Sequence, residues 1–470
     1  MKFVTTLLLT LFFSVAAIAQ NDSLLVFSFT EFLEFVKKNH PVAKQAKLLP
    51  EIGQAGVLNA RGGFDPSAFT NIDQKYFDEK KYFSLINSGF KIPTWYGIEL
   101  KGGYEQNQGA FLSPESSVPS QGLAYAGISI PIGQGLFIDE RRAALKQAKI
   151  YAQATIAEQQ LMLNELIYNA GKSYWDWFTA YNNLIVFEDA LRAAQERFKA
   201  VKQSAILGDR PFVDTLESGI QVQDRMLNLQ QAQLEYKNKS LFLSTFLWNE
   251  NNVPLEMEQN IIPAEFNSII INENEAESFI TRIDSIRESH PAIAISTFKI
   301  QKLKIEKKWK TEKLKPLLNI NYNALTAPVN SDVWSNYSIN NYKWGLTFYM
   351  PLLLRKERGD LQLTKLKLTD AEYELQNKNL ELVNKARASL NEHNISKQQI
   401  KLYSNTVNDY NALLAAEKRM FDSGESSLFM INAREMSSIN ARLKLIDLVT
   451  KNRKALLSVE YAFGELGLLD

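Results

Sequence analysis

The chain has 470 residues, enough for two or three ordinary domains or one extended architecture, and 53 Lys and Arg against 52 Asp and Glu give a formal net charge of +1. That balance speaks against a nucleic-acid partner, which a basic excess would mark. No Cys and only three His exclude disulfide scaffolds, thiolate catalysis and Cys-ligated metal and leave little for general-base chemistry, so neither an enzyme nor a cofactor or metal site is expected.

Residues 1–19 read as a secretory signal peptide: Met1-Lys2, an apolar run from Phe3 to Ala16, then Ala17-Ile18-Ala19 before Gln20. Beyond it no run reaches the ~18 consecutive apolar residues of a spanning helix, which predicts an exported chain without a transmembrane helix. Segment 20–65 carries a first short helix over about 30–62, and a first β region follows at 66–138. No proline then occurs until Pro211, and Gly171 is the only glycine between Gly135 and Gly208. Without breakers, a helix is predicted from about Asp139, a candidate N-cap, to about Ala205, roughly 100 Å at ~1.5 Å per residue. A returning helix over about 212–248 completes a first helical hairpin (139–248). After a linker with Pro254 and Pro263 (249–290), the plan recurs: a second short helix (291–315), a second β region (316–354), a second helical hairpin (355–463) and a tail (464–470).

The chain is written twice. Asn39-His40-Pro41 returns as Ser289-His290-Pro291, and Pro66 as Pro316, both 250 residues on; Glu140 to Leu145 aligns with Lys356 to Leu361, and Gly208 with Gly424, both 216 on. A spacing held over some 65 residues fits a rigid helix that admits no insertion. The fall from 250 to 216 places 34 extra residues in the first β region. The short and returning helices together match the long one, so they are expected to stack end to end along it. His40 and His290, each before proline at a helix entry, are expected to fix that turn.

Leu318 to Ala324 and Lys343 to Met350 alternate apolar with polar, as do Tyr96 to Gly102 and Tyr125 to Ile130. Such aromatic-rich segments fit strands of an outer-membrane barrel, and fit a half-buried soluble sheet almost as well. Their place at the ends of very long helices favours the barrel, and so few strands would need several chains to close it. Leu318, Ile320, Tyr322, Trp344, Leu346 and Phe348 are then the expected lipid-facing residues. The extra segment within 67–108 is expected to form an extracellular hairpin, the alternative being added barrel strands.

The strand-to-helix junction Pro131 to Leu145, echoed by Pro351 to Leu361, and the turns Gly208-Asp209-Arg210-Pro211-Phe212-Val213-Asp214-Thr215-Leu216 and Gly424 to Arg434 resemble those of the TolC-type outer-membrane factor family over about residues 30–463. The resemblance implies a mostly α fold with a small β region. Duplicated long-helix hairpins would form a trimeric α-helical barrel, each chain adding about four strands to a shared transmembrane β-barrel. It also implies a passive exit duct in the outer membrane with a long periplasmic extension, serving a tripartite efflux pump or type I secretion system. Its partners would be two further copies, a periplasmic adaptor, an inner-membrane transporter and outer-membrane lipid. Gly208, Phe212, Gly424 and Leu428 would form the turns where the adaptor docks. Asp209, Asp214, Glu217, Asp422 and Glu425 are candidates for an acidic aperture ring, although Met430 and Ala433 stand where some members of the family carry acids in the second turn. A non-channel coiled-coil scaffold or adaptor is the alternative reading.

Overall fold

The computed structural model describes residues 25–258, 260–269, 275–328, 332 and 337–468; the expected leader 1–19 lies outside them, as do residues 469–470 of the tail. A short strand β1 (Leu25–Phe27) leads into α1 (Phe29–Asn39), which opens on a capping box: Ser28 Oγ accepts from Glu31 N–H, and Glu31 accepts from Ser28 N–H. The helix expected over about 30–62 is in fact two. Residue 40 is extended (φ −64°, ψ 135°) because Pro41 disfavours helical geometry before it, and α2 (Pro41–Gly62) starts there with Pro41 in its first turn.

Four strands follow, β2 (Ser67–Phe77), β3 (Lys80–Pro93), β4 (Glu99–Gln108) and β5 (Leu123–Pro131), and then α3 (Glu140–Leu207) and α4 (Phe212–Ser244). Asp139 Oδ1 accepts from Arg142 N–H to cap α3, and Gly208 (φ +82°) ends it in the left-handed conformation that only glycine adopts without strain. A connecting layer carries β6 (Ile261–Pro263), paired in parallel with β1, and two short helices, α5 (Glu277–Thr281) and α6 (Ile286–Ser289). The second half repeats the first as α7 (Pro291–Glu312), β7 (Leu317–Thr326), β8 (Tyr342–Tyr349), α8 (Arg355–Asp422) and α9 (Leu428–Phe463). The correspondence is close: α2 and α7 have 22 residues each, and α3 and α8 have 68 each.

Neither α2 nor α4 spans α3, so the two share it. They meet at its midpoint, where Ala43 and Ala46 of α2 and Leu243 of α4 pack in one core with Leu163, Ile167, Tyr174, Trp177 and Phe178 of α3. The connecting layer covers this waist. Phe266 stacks on Phe178 at 6.3 Å, Tyr174 Oη donates to Phe27 O (2.8 Å), and Arg453 of α9 contacts both carboxylate oxygens of Glu275. On the α7 side the equivalent core gathers Ile286, Ile293, Leu382, Leu390, Val459 and Phe463.

Among the described residues the sheet has six strands, all antiparallel, in the order β2-β3-β4-β5-β7-β8. This exceeds the expected four: the extra segment of the first copy is no separate extracellular hairpin but is hydrogen-bonded into the sheet as β3 and β4. An even number of added strands returns β5 to the direction that α3 requires, which is why the sheet can accept it.

Candidate membrane-facing sheet and helix-tip site

In an antiparallel sheet, directly opposed residues share a face. Leu318 pairs with Phe348, Ile320 with Leu346 and Tyr322 with Trp344, so the six residues expected to face lipid lie on one face of β7 and β8. The register carries that face onward: Ile320 to Ile130, Tyr322 to Ile128, Ile128 to Leu100 and Leu100 to Ile92. It reaches β2 through Phe90 opposite Ala68 and Ile86 opposite Ile72. Among the described residues nothing covers it; Trp344, Leu346, Phe348, Phe90 and Ile72 are all exposed, a contiguous apolar face of the kind that marks an interaction surface.

The opposite face is polar. Asn319, Asn321 and Asn323 of β7 lie opposite Thr347, Gly345 and Lys343 of β8, and the series continues through Ser129, Glu99, Lys101, Glu105, Asn87 and Lys91. Tyr125 lies across Gly103, where any Cβ would meet its ring, and its Oη donates to Asn87 Oδ1 (2.9 Å) two strands away. Asn87 Nδ2 donates in turn to Glu105 Oε1 (3.4 Å).

At the far end of the long helices the two turns lie side by side. Arg210 sits over the Phe421 ring (3.9 Å), donates to Phe421 O (3.3 Å) and pairs with Asp214 at 3.8 Å. Leu428 is buried against Val201, Phe421 and Ile431, so it holds the turn together and offers no docking surface, whereas Phe212, at the equivalent place in the first copy, is 82% exposed. Phe212 continues into an exposed apolar strip with Leu207, Val213 and Leu216. Gly208 and Gly424 both take left-handed φ, +82° and +79°. Of the acidic candidates, Asp209, Asp422 and Glu425 are exposed and Asp214 is half-buried beside Arg210. Glu217 points inward and accepts from Asn432 Nδ2 (3.2 Å). The single chain brings none of these acids into a cluster.

That inward contact belongs to a buried polar group the sequence did not disclose. Arg197 of α3 donates to Glu435 Oε1 (2.6 Å) and Asn432 Oδ1 (2.7 Å) of α9, with both charged side chains under 10% exposed. Arg225 of α4 is also buried, its Nη1 3.8 Å from Met436 Sδ. Charged residues inside otherwise apolar helical stripes were the available signal. What they contact, more than two hundred residues away, was not.

His40 and His290 cap α2 and α7: Nδ1 of each accepts a backbone N–H, from Val42 (3.2 Å) and Ala292 (3.1 Å). Burial lowers both, His290 to about 4, which keeps the imidazoles neutral as acceptors. Among the described residues there is no cluster of metal-ligating side chains, and no helix is long and apolar enough to cross a membrane.

No protein-family model matches the chain, and no curated protein matches its sequence. Solved structures do. The CmeC outer membrane channel of Campylobacter jejuni shares 16% identity at a TM-score of 0.64, covering 93% of this chain and 85% of its own. The outer membrane protein VceC of Vibrio cholerae shares 11% at 0.65, covering 93% and 96%. The open state of the MtrE outer membrane channel of Neisseria gonorrhoeae shares 12% at 0.64, covering 93% and 89%. The duplicated long-helix hairpins joined to one curled antiparallel sheet are thus the fold of these channels, and the chain has the TolC-type outer-membrane factor fold.

Proposed function

We propose that the chain is an outer-membrane exit duct, a homotrimer whose sheets close into one transmembrane barrel and whose helices form a periplasmic tunnel. It would carry no catalytic chemistry and pass solutes driven by an inner-membrane transporter through a periplasmic adaptor, in an efflux pump or a type I secretion system. One observation carries this reading: among the described residues, a six-stranded sheet with an uncovered apolar face, a polar face opposite, and two edges, β2 and β8, without a paired neighbour. Water would penalise the apolar face, and a bilayer would penalise the free edges. Only closure with further copies inside lipid satisfies both.

The strand ends support it. Following the register across the sheet, Ser67, the first residue of β2, is level with Lys343, six residues before the last residue of β8, Tyr349. That is about 20 Å along the strands over about 24 Å across five strand spacings, a tilt of about 40°, within the range of outer-membrane barrels. The exposed strip around Phe212 at the helix tips is the surface we assign to the adaptor, with Gly208 and Gly424 shaping the turns. Asp209, Asp214, Asp422 and Glu425 are the acids that a three-fold axis could gather into a ring.

Purified from outer membranes, the protein should run as a heat-modifiable trimer and conduct ions in planar bilayers. A water-soluble monomer without conductance would instead indicate a periplasmic scaffold.

A further inference from the structure

We propose that the inserted hairpin β3–β4 is lipid-facing wall, so that the closed trimer has eighteen strands and a bore about half again as wide as the twelve that the helix columns alone would supply, since barrel diameter grows roughly linearly with strand number. This rests on the trimeric duct proposed above. The four helix columns of each chain run into four strands: α2 into β2, β5 into α3, α7 into β7 and β8 into α8. Strands β3 and β4 have no helix beneath them. They lie between β2 and β5, the two strands that correspond to β7 and β8, and these pair directly with each other in the second copy.

Three features mark the insertion as wall and not appendage. Its apolar residues, Ile86, Phe90, Ile92 and Leu100, continue the uncovered face without a phase break. On the polar face it is tied to a flanking strand, because Tyr125 of β5 reaches over β4 to Asn87 of β3. Its helix-side turn is seated where α2 and α3 part. Trp95 stacks on Phe64 at 4.3 Å, and Glu99 reaches Arg141 at 4.0 Å. Gly97 (φ +85°) leaves room for the Arg142 guanidinium, which donates to Leu136 O (3.2 Å). The junction of helix and sheet is thus built to accommodate a sheet wider than the tunnel.

Closure then joins β8 of one chain to β2 of the next. The two run antiparallel, and extending the stagger brings Thr70 opposite Leu346 of the neighbouring copy, with the apolar faces in phase. The outer-membrane section would admit bulky polymeric cargo, leaving the helical tunnel as the narrower part of the path.

The chain has no Cys, so paired substitutions report cleanly. Thr70→Cys combined in turn with Trp344→Cys, Leu346→Cys or Phe348→Cys should give an oxidant-dependent ladder of covalent dimers and trimers, strongest for Leu346→Cys. In bilayers, deletion of residues 78–111, which removes the 34 extra residues, should lower the cut-off mass of polyethylene glycol entering from the barrel side about twofold. Intact, conducting trimers that give no ladder with any pair would overturn the eighteen-strand wall and leave the duct standing. An unchanged cut-off in a deletion variant that still forms trimers would do the same. Loss of trimers and conductance in the wild-type chain would instead sink the duct itself. Should the deletion variant fail to assemble, the cysteine pairs in the full-length chain still decide.

Discussion

The two copies agree to the residue in their short and their long tunnel helices and disagree in their strands. α2 matches α7 and α3 matches α8 in length, yet β2 and β5 are separated by two strands that β7 and β8 lack. A long helix packed along its whole length shows each side chain to a fixed neighbour. One added residue would rotate everything after it by ~100° and unseat the core. A sheet grows sideways, so it takes whole strands at no cost to the register of the others, provided they come in pairs. The first copy therefore varies where lateral growth is possible and holds constant where axial register is fixed.

The largest effect should come from charging the uncovered face. Leu346→Lys in β8 should cost about 2–4 kcal/mol if it sits near the bilayer midplane, read as loss of assembled trimer or a lowered unfolding midpoint in vesicles. Phe90→Lys tests the comparison directly. A similar penalty puts the inserted strand in the same wall, whereas a negligible one would mean that β3 never meets lipid. Asn321→Lys, on the polar face, should be tolerated.

A second contrast concerns the waist. The His290 cap is held neutral by burial with its pKa near 4, so its contribution is fully present above the unfolded value of ~6.5 and is lost as pH falls towards 4, up to about 3 kcal/mol at 1.36 kcal/mol per pKa unit. Glu460, on the last turn of α9, has the opposite sign. Burial, with the charges of Glu275 and Glu465, raises it to about 7, so its contribution is present below ~4.5 and is lost as pH rises through 7. The two oppose each other between pH 4.5 and 6.5. Wild-type stability should therefore vary little across that window. Glu460→Gln should expose an acid loss, and His290→Asn, which keeps a capping acceptor, should expose an acid gain. Thermal unfolding followed by circular dichroism from pH 4 to 8 checks both slopes; parallel curves for all three proteins would remove the assignment.

Smaller still is the difference in how the short helices seat. Gly53 of α2 lies so close to α3 that a Cβ would come within 2.6 Å of Thr155 Oγ1 and 2.9 Å of Ala152 Cα. At the equivalent place, 250 residues on, α7 carries Leu303, packed with Ile300, Leu368 and Ala371. The partners have changed along with it, Ala152 and Thr155 in one copy answering Leu368 and Ala371 in the other. Gly53→Leu should overpack the first copy by about 1–3 kcal/mol, seen as a lower unfolding midpoint, although the second copy holds that same side chain without strain.

These residues also show what a sequence can disclose. The long helices were legible because proline and glycine are missing where they would break them, and Asp139, Gly208 and Gly424 mark their ends. The faces of β7 and β8 were legible because alternation is itself the geometry of a strand. Alternation does not say which strand lies alongside, however, and Leu85 and Gly102 blur it in β3 and β4, which is why the sequence favours an extracellular hairpin there over added barrel strands. Pro41 is the sequence signal for the break at His40, one that the expectation of a single helix over about 30–62 passes over. At the tips, Phe212 and Leu428 occupy equivalent positions with opposite burial, because Leu428 finds Val201, Phe421 and Ile431 beneath it. Of these, Val201 belongs to the first hairpin and becomes a neighbour only when the two hairpins lie side by side.

The tips give the smallest expected effect on stability and the most specific one on transport. The Arg210–Asp214 pair is partly exposed and loosely spaced, so Asp214→Asn should change the stability by less than about 1 kcal/mol. If Asp214 also meets its two copies around a three-fold axis, however, removing three like charges from a narrow opening must weaken its preference for cations. Reversal potentials under a salt gradient should then show a lower cation-to-anion permeability ratio. Glu217→Gln is the internal control. Its carboxylate is engaged by Asn432, so it should disturb packing between α4 and α9 and leave the permeability ratio alone. Equal ratios for wild type and Asp214→Asn would assign Asp214 to its bond with Arg210 and move the opening's selectivity to Asp209, Asp422 or Glu425.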